Sequence, residues 1–235
     1  MTRPGWRTVI IEFAGLRLYT LGLYTALGVL CAAAVTGVLG RSLGLKRGSA
    51  ALVLLLSLLC GMAMSRLAFC LVYRADGTAL PVRMWLRVTD GGWSLAGLYA
   101  GTAAGGWIAA RLAGEKTHEV SDILCCAILP VLCAVRLGEA RITGGNSTEL
   151  LYASAAAALG LFVLLLAILV RRRRADGTMT AVFLVLAGAG TVVTEGLRGT
   201  EDRINVLSQA AGAAMLAAGI FTAMRTYGQH KSGNR

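Results

Sequence analysis

Ionisable side chains that interrupt long apolar segments carry the chemistry available to this chain. Arg66, Arg136 and Glu195 are three of them. A charge at the centre of a membrane helix costs about 2.5–3.5 kcal/mol on insertion scales, so such residues are functional candidates by default. A guanidinium group with spare N–H donors suits two-point recognition of a phosphate, which indicates an anionic ligand.

Two charge pairs repeat one spacing. Arg136 and Glu139 are three residues apart, and so are Glu195 and Arg198. Residues three apart share a helical face, so each couple is predicted to form an ion pair. In the alternative interpretation, the first pair is an ordinary helix-end contact and the second belongs to a polar loop.

Arg66 stands late in the second apolar segment. Gly61 and Ser65 are four residues apart and form a small-residue face beside it, which favours an arginine that points into a helix bundle. The alternative is an arginine that extends to the membrane interface and has no further role.

The stretch from Asp90 to Gly106 combines a glycine-rich turn with an apolar helix. The helix carries Gly97, Gly101 and Gly105 at four-residue spacing. Such a stripe is typical of a face that another helix approaches closely. The turn, with Gly91, Gly92 and the following Ser94, offers backbone N–H groups, so a lipid headgroup is the other interpretation.

The elements that must position these residues are membrane helices. Of the 235 residues, 56% are hydrophobic and only 15% are charged, and the mean hydropathy is +0.67. Apolar runs of about 20 residues are long enough to cross a hydrocarbon core. We therefore predict an all-α polytopic protein, one transmembrane domain over residues 1–235. Its seven spans lie near 18–40, 50–73, 93–110, 121–135, 150–170, 179–195 and 206–224.

The charge distribution predicts an orientation and excludes some partners. Four consecutive arginines, Arg171 to Arg174, follow the fifth span, which favours an outside amino terminus and a cytoplasmic carboxyl terminus. The net charge of +11 lies in short loops, which favours anionic lipid headgroups over nucleic acid. The six cysteines fall inside predicted spans without metal-ligand spacing, so we expect neither a metal nor another cofactor.

In this orientation, the polar segments around Arg66, Gly91, Arg136 and Glu195 all fall on the outer side of the membrane. Four separated segments in one leaflet predict an outward-facing site for an anionic lipid headgroup.

The ordered set of motifs resembles the prolipoprotein diacylglyceryl transferase family over about residues 15–222. Order and spacing agree along the chain, although no single motif is decisive. The matching segments are Leu21-Gly22 with Gly28, Gly61 with Ser65-Arg66-Leu67, Gly91-Gly92-Trp93-Ser94-Leu95-Ala96-Gly97 with Gly101, Arg136-Leu137-Gly138, and Glu195-Gly196-Leu197-Arg198 with Asp202-Arg203 and Leu207-Ser208-Gln209.

The resemblance implies a bacterial plasma-membrane enzyme of lipoprotein biosynthesis. It would move diacylglyceryl from phosphatidylglycerol to the thiol of the lipobox cysteine in a prolipoprotein signal peptide. The family's headgroup contacts fall on Gly97 and Arg136. We predict a lipid-binding set of Arg66, Gly91, Gly92, Ser94, Gly97, Gly101, Arg136 and Arg198, and a catalytic set of Arg136, Glu139 and Glu195.

Four positions depart from the family pattern. Ala96 stands where histidine or tyrosine is usual, and Leu21 where tyrosine is usual. Glu139 replaces an asparagine, and Thr191 replaces an arginine. We hypothesise that Glu139 serves as the general base.

For the missing arginine, the candidate replacements are Arg198 and Arg141. A non-catalytic relative that binds anionic lipid or a membrane partner is the alternative function. A transporter is disfavoured because neither repeated halves nor paired broken helices occur.

Overall fold

The computed structural model describes residues 9–13, 16–46, 48–75, 93–142, 147–172, 177–198 and 203–232. These ranges hold seven helices, so the predicted all-α fold is confirmed. The predicted turn at Gly91 and Gly92 lies outside the described residues. The helices are α1 (Thr20–Ser42), α2 (Ser49–Ala75), α3 (Leu95–Ala113), α4 (Thr117–Ile142), α5 (Ser147–Arg172), α6 (Thr178–Leu197) and α7 (Arg203–Ser232).

A short antiparallel hairpin precedes α1. Its strands are β1 (Val9–Phe13) and β2 (Leu16–Tyr19), with Val9 paired to Tyr19. The sequence-based prediction contains no strand, and it starts the first span at residue 18, inside β2. The long apolar run begins there, but the regular helix starts only after the hairpin.

Six of the seven helices in the described ranges are long and apolar enough to cross a membrane, which supports a multi-pass membrane protein. The exception is α3, which coincides with the third predicted span. The predicted fourth span is too short, because α4 runs from Thr117 to Ile142 and includes the charged residues that end the apolar run.

The three most extensive helix contacts are those of α2 with α3, α6 with α7, and α1 with α4. Each pair meets where a glycine removes a side chain. A Cβ on Gly188 of α6 would lie 2.7 Å from the Gly212 carbonyl oxygen of α7. A Cβ on Gly28 of α1 would lie 2.9 Å from Val131 Cα of α4.

The central element is α4. In its most apolar stretch 56% of the residues are buried, against 17% in α1. Ile123, Cys126 and Leu129 of α4 form the main core with Leu165 of α5 and Phe183 of α6. Arg136, Gly138 and Ala140 near the end of α4 are buried too, which is what a site inside a bundle requires.

At the end of the bundle where α4 begins, the loop after α1 is tied to the loop after α3. The Glu115 carboxylate accepts hydrogen bonds from the Lys46 backbone N–H and from the Ser49 hydroxyl, both at 2.9 Å. The Lys46 N–H and then the Ser49 hydroxyl hold the pKa of Glu115 below its ordinary value, although burial opposes this.

Asp122 of α4 caps α6 from outside that helix. The residue before α6 is Gly177, which has no side chain for capping. The buried Asp122 carboxylate accepts from the Gly177 and Thr180 backbone N–H groups, both at 2.9 Å, and from the Thr180 hydroxyl at 2.6 Å. One carboxylate thus satisfies donors that a helix start otherwise leaves exposed.

We expect Asp122→Ala to lower the free energy of unfolding by at least about 2 kcal/mol, because a cap is worth up to about 2 kcal/mol and its donors would be left unsatisfied. Thermal unfolding in detergent measures this. Asp122→Asn should cost less, since its amide oxygen still accepts. Glu119→Gln, which removes only a partly exposed ion pair to Lys116, is the control. Equal melting temperatures for Asp122→Ala and Glu119→Gln would contradict the capping role.

Candidate functional site

Ser94 begins α3 and fastens it to α2. Its hydroxyl accepts a hydrogen bond from the Gly97 N–H at 3.4 Å, which caps the helix. Its carbonyl accepts from the Ser65 hydroxyl at 2.8 Å, and its N–H donates to the Ser65 carbonyl at 3.3 Å. Both side chains are buried, so Ser94 fixes the start of α3 beside Arg66.

The glycine stripe of α3 packs on the backbone of α2. A Cβ on Gly97 would collide with the Met64 carbonyl oxygen, and one on Gly101 would collide with that of Cys60. The packing interpretation therefore describes this face. Contact of Gly97 and Gly101 with lipid stays a prediction, and it would have to use their backbone.

Arg66 is buried, as the small residues beside it predict. It is 8% exposed, and its guanidinium carbon lies 5.4 Å from the centre of the Phe69 ring. An arginine over an aromatic face is held by a cation–π interaction, which is stronger when the pair is desolvated.

Four charged residues meet where the end of α4 approaches the end of α6, and we call them the four-charge cluster. Arg136 donates to Glu139 at 2.9 Å and to Glu195 at 2.6 Å. Arg198 lies 3.6 Å from the Glu195 carboxylate and 3.8 Å from that of Glu139. Both predicted pairs, Arg136–Glu139 and Glu195–Arg198, are confirmed, and two contacts between helices join them.

Burial divides the cluster into an inner and an outer half. The side chains of Glu195 and Arg136 are 4% and 11% exposed, while those of Arg198 and Glu139 are 23% and 31% exposed. Two arginines and two glutamates sum to zero charge. An ion pair buried away from water is stable only when good hydrogen bonds accompany it. The 2.6 Å contact between Arg136 and Glu195 is such a hydrogen bond. A ligand would reach Glu139 and Arg198 first.

One residue near this cluster is not indicated by any sequence pattern. Tyr99 of α3 lies close enough to Arg136 and Glu195 to interact electrostatically with both. Its ring meets Phe183 edge-on, with centroids 6.5 Å apart. Phe183 and Thr191 are two four-residue steps apart, so they share a face of α6. Nothing in the sequence pairs that face with α3.

The first helix also reaches the level of the cluster. A Cβ on Gly138 would lie 3.1 Å from Leu21 and 3.1 Å from Tyr24. Arg141, one turn further along α4, is exposed.

A family model described as prolipoprotein diacylglyceryl transferase matches residues 8–225. The chain belongs to this family. No curated protein matches it. The family match confirms the resemblance carried by the ordered motifs, from the first helix to Gln209. Prolipoprotein diacylglyceryl transferases are transferases of lipoprotein biosynthesis.

The structure describes the surroundings of two residues that depart from the transferase family pattern, Thr191 and Ala96. Thr191 is 6% exposed, and its hydroxyl donates to the Ala187 carbonyl at 2.8 Å. Its Cβ would lie 3.1 Å from a Cβ on Gly212 of α7. Ala96 lies one residue before Gly97 and is half-buried. Neither side chain can supply the charge or the proton acceptor usual in the family.

Proposed function

We propose that this protein transfers diacylglyceryl from phosphatidylglycerol to the lipobox cysteine thiol of a prolipoprotein signal peptide. The observation that carries the proposal is the buried Arg136, held by two carboxylates at the meeting point of α4 and α6 in a chain of this transferase family. The enzyme would work in a bacterial plasma membrane, with the cluster in the outer leaflet.

In this reaction Arg136 stabilises the leaving group. The thiolate sulfur attacks the terminal glycerol carbon of the diacylglyceryl group, and the carbon–oxygen bond to phosphate breaks. The electron pair stays on the phosphate oxygen, which leaves as glycerol phosphate. Preorganised guanidinium donors favour this step because charge develops on that phosphate. Glu195 holds Arg136 in place.

The nucleophile must first lose a proton, since the thiolate and not the thiol attacks. We assign this proton to Glu139, because it is the more exposed carboxylate of the cluster and an incoming thiol can reach it. The outer Arg198 is the second phosphate contact, and Arg66, Ser94, Gly97 and Gly101 belong to the proposed lipid-binding set, the two glycines through their backbone. Gly91 and Gly92 complete the proposed set.

Complementation tests the function. The chain is expressed in cells depleted of their own transferase, and prolipoprotein conversion is followed by gel shift and mass. We expect lipidation to be restored. If the protein reaches the membrane at normal levels and no lipidation follows, the transferase proposal is wrong.

Two variants of Glu139 test whether it acts as the general base or only as a hydrogen-bond partner of Arg136. We expect Glu139→Gln, which keeps the shape and a hydrogen bond to Arg136, to lower the transfer rate about 100-fold or more, since general bases contribute roughly 10²–10⁴. Glu139→Ala should be equally slow. Single-turnover rates with a lipobox peptide measure this, with Glu119→Gln as the matched control. Equal rates in all proteins would exclude Glu139 as the base.

The second candidate function is lipid or partner binding without transfer. It is favoured by the neutral charge of the cluster, because both arginines already contact carboxylates, and by Ala96 and Thr191 at positions usually polar or charged. Failure of complementation together with retained phosphatidylglycerol binding would select it.

A further inference from the structure

The Glu139 carboxylate lies between the two guanidinium groups of the four-charge cluster. Its Oε2 atom accepts a hydrogen bond from Arg136 Nη1 at 2.9 Å, and the same atom lies 3.8 Å from Arg198 Nη1. One oxygen atom thus faces both arginines. Guanidinium groups recognise carboxylate and phosphate oxygens with the same donors, so this oxygen stands where a phosphate oxygen would have to bind.

Glu139 is held less firmly than the other carboxylate of the cluster. Its side chain is 31% exposed, against 4% for Glu195. Glu195 accepts from Arg136 Nη2 at 2.6 Å in a buried pair, and breaking such a pair would leave a charge away from water without its partner. The 3.8 Å separation of Glu139 from Arg198 is longer than a hydrogen bond. An incoming anion would therefore replace Glu139 and leave Glu195 in place.

The charges of the cluster favour this exchange when the anion carries a single charge. The two arginines and two glutamates sum to zero. A phosphodiester has one negative charge, so its exchange for the Glu139 carboxylate keeps the sum at zero. The glutamate side chain can turn away about its own single bonds, so the exchange requires no movement of α4.

We propose that Glu139 is an internal competitor of the lipid: its carboxylate and the phosphodiester of the anionic lipid take the same position between Arg136 and Arg198, so the lipid must displace the carboxylate. This inference rests on the proposed function, because it takes a phosphodiester headgroup as the ligand. The displaced carboxylate is then free to take the thiol proton. Asparagine, the usual family residue at this position, has no charge and would not compete in this way.

Lipid titration by native mass spectrometry of the purified full chain tests this proposal. We expect Glu139→Gln to bind phosphatidylglycerol about tenfold more tightly, because a neutral amide competes for Arg136 less strongly than a carboxylate does. Glu139→Asn should have the same effect. Diacylglycerol, which has no phosphate, should bind equally to all three proteins. Glu119→Gln is the matched control, since Glu119 also lies on α4, three residues from a cation that it contacts.

A further variant separates displacement from a change in net charge. Glu195→Gln also removes one negative charge from the cluster, but it takes away the inner partner that holds Arg136. We therefore expect it not to tighten phosphatidylglycerol binding. Thermal unfolding of each variant shows that the titrated protein is folded.

Four results would overturn the inference. Glu139→Gln and Glu139→Asn could bind phosphatidylglycerol no more tightly than Glu119→Gln, or Glu195→Gln could tighten binding as much as Glu139→Gln. Diacylglycerol could gain as much as phosphatidylglycerol, or inorganic phosphate could displace the bound lipid, which would make the ligand a free anion. Failed complementation with tighter binding by Glu139→Gln overturns only the transferase function. Restored lipidation without tighter binding overturns only this inference.

Discussion

Arg136→Ala should abolish lipidation in complemented cells and lower the transfer rate by at least about 100-fold, the usual cost of removing one preorganised donor to a developing anion. The same change leaves the Glu195 carboxylate, which is 4% exposed, without its hydrogen-bonded partner. Breaking a buried pair in this way costs roughly 3–5 kcal/mol, so the variant should also melt at a lower temperature.

A double variant separates these two losses. Arg136→Gln with Glu195→Gln replaces the inner ion pair by two amides and leaves no unpaired charge. We expect its melting temperature to lie above that of Arg136→Ala, while its transfer rate stays as low. Transfer by the double variant at the unaltered rate would contradict the role of Arg136 in the reaction.

The second large effect is expected at Gly101, where α2 and α3 touch. A Cβ at this position collides with the Cys60 carbonyl oxygen, which belongs to the backbone and cannot turn aside as a side chain can. Gly101→Ala should therefore cost about 1–3 kcal/mol, the usual range for overpacking, and Gly101→Val more. Thermal unfolding and the amount of folded protein in the membrane measure this.

Gly160→Ala is the matched control for Gly101→Ala. Gly160 lies in the middle of α5, and a Cβ there meets nothing within 4 Å. The same substitution should be neutral or stabilise the protein by about 0.5–1 kcal/mol, because alanine loses less conformational freedom than glycine in a helix. If both alanine variants melt together, the close approach of α3 to α2 is not what Gly101 provides.

Patterns local in the chain predicted local structure. The i, i+3 spacing predicted Arg136–Glu139 and Glu195–Arg198, and the apolar runs coincide with the seven helices of the described ranges. Of the two interpretations of the glycine stripe, the packing face agrees with the contacts of Gly97 and Gly101 with α2. These inferences succeed because a helix places residues three or four apart on one side whatever surrounds it.

Such local patterns do not predict contacts between different helices. Arg136 and Glu195 are 59 residues apart in the chain, and Asp122 and Thr180 are 58 apart. Their meeting depends on how whole helices pack, which periodicity does not specify. The predicted fourth span ended near residue 135 for the same reason. A charged residue looks like the end of a span until its buried partner on another helix is known.

The pairing of α1 with α4 sets an order of events during membrane insertion. The pairs α2–α3 and α6–α7 each join helices that are neighbours among the described elements, so each can associate soon after its second member is synthesised. In contrast, α1 ends at Ser42 and its partner begins only at Thr117. At about 5–20 residues per second, the ribosome needs roughly 4–15 seconds to make the intervening chain. During that interval the face of α1 around Gly28 must remain against lipid or an insertion factor.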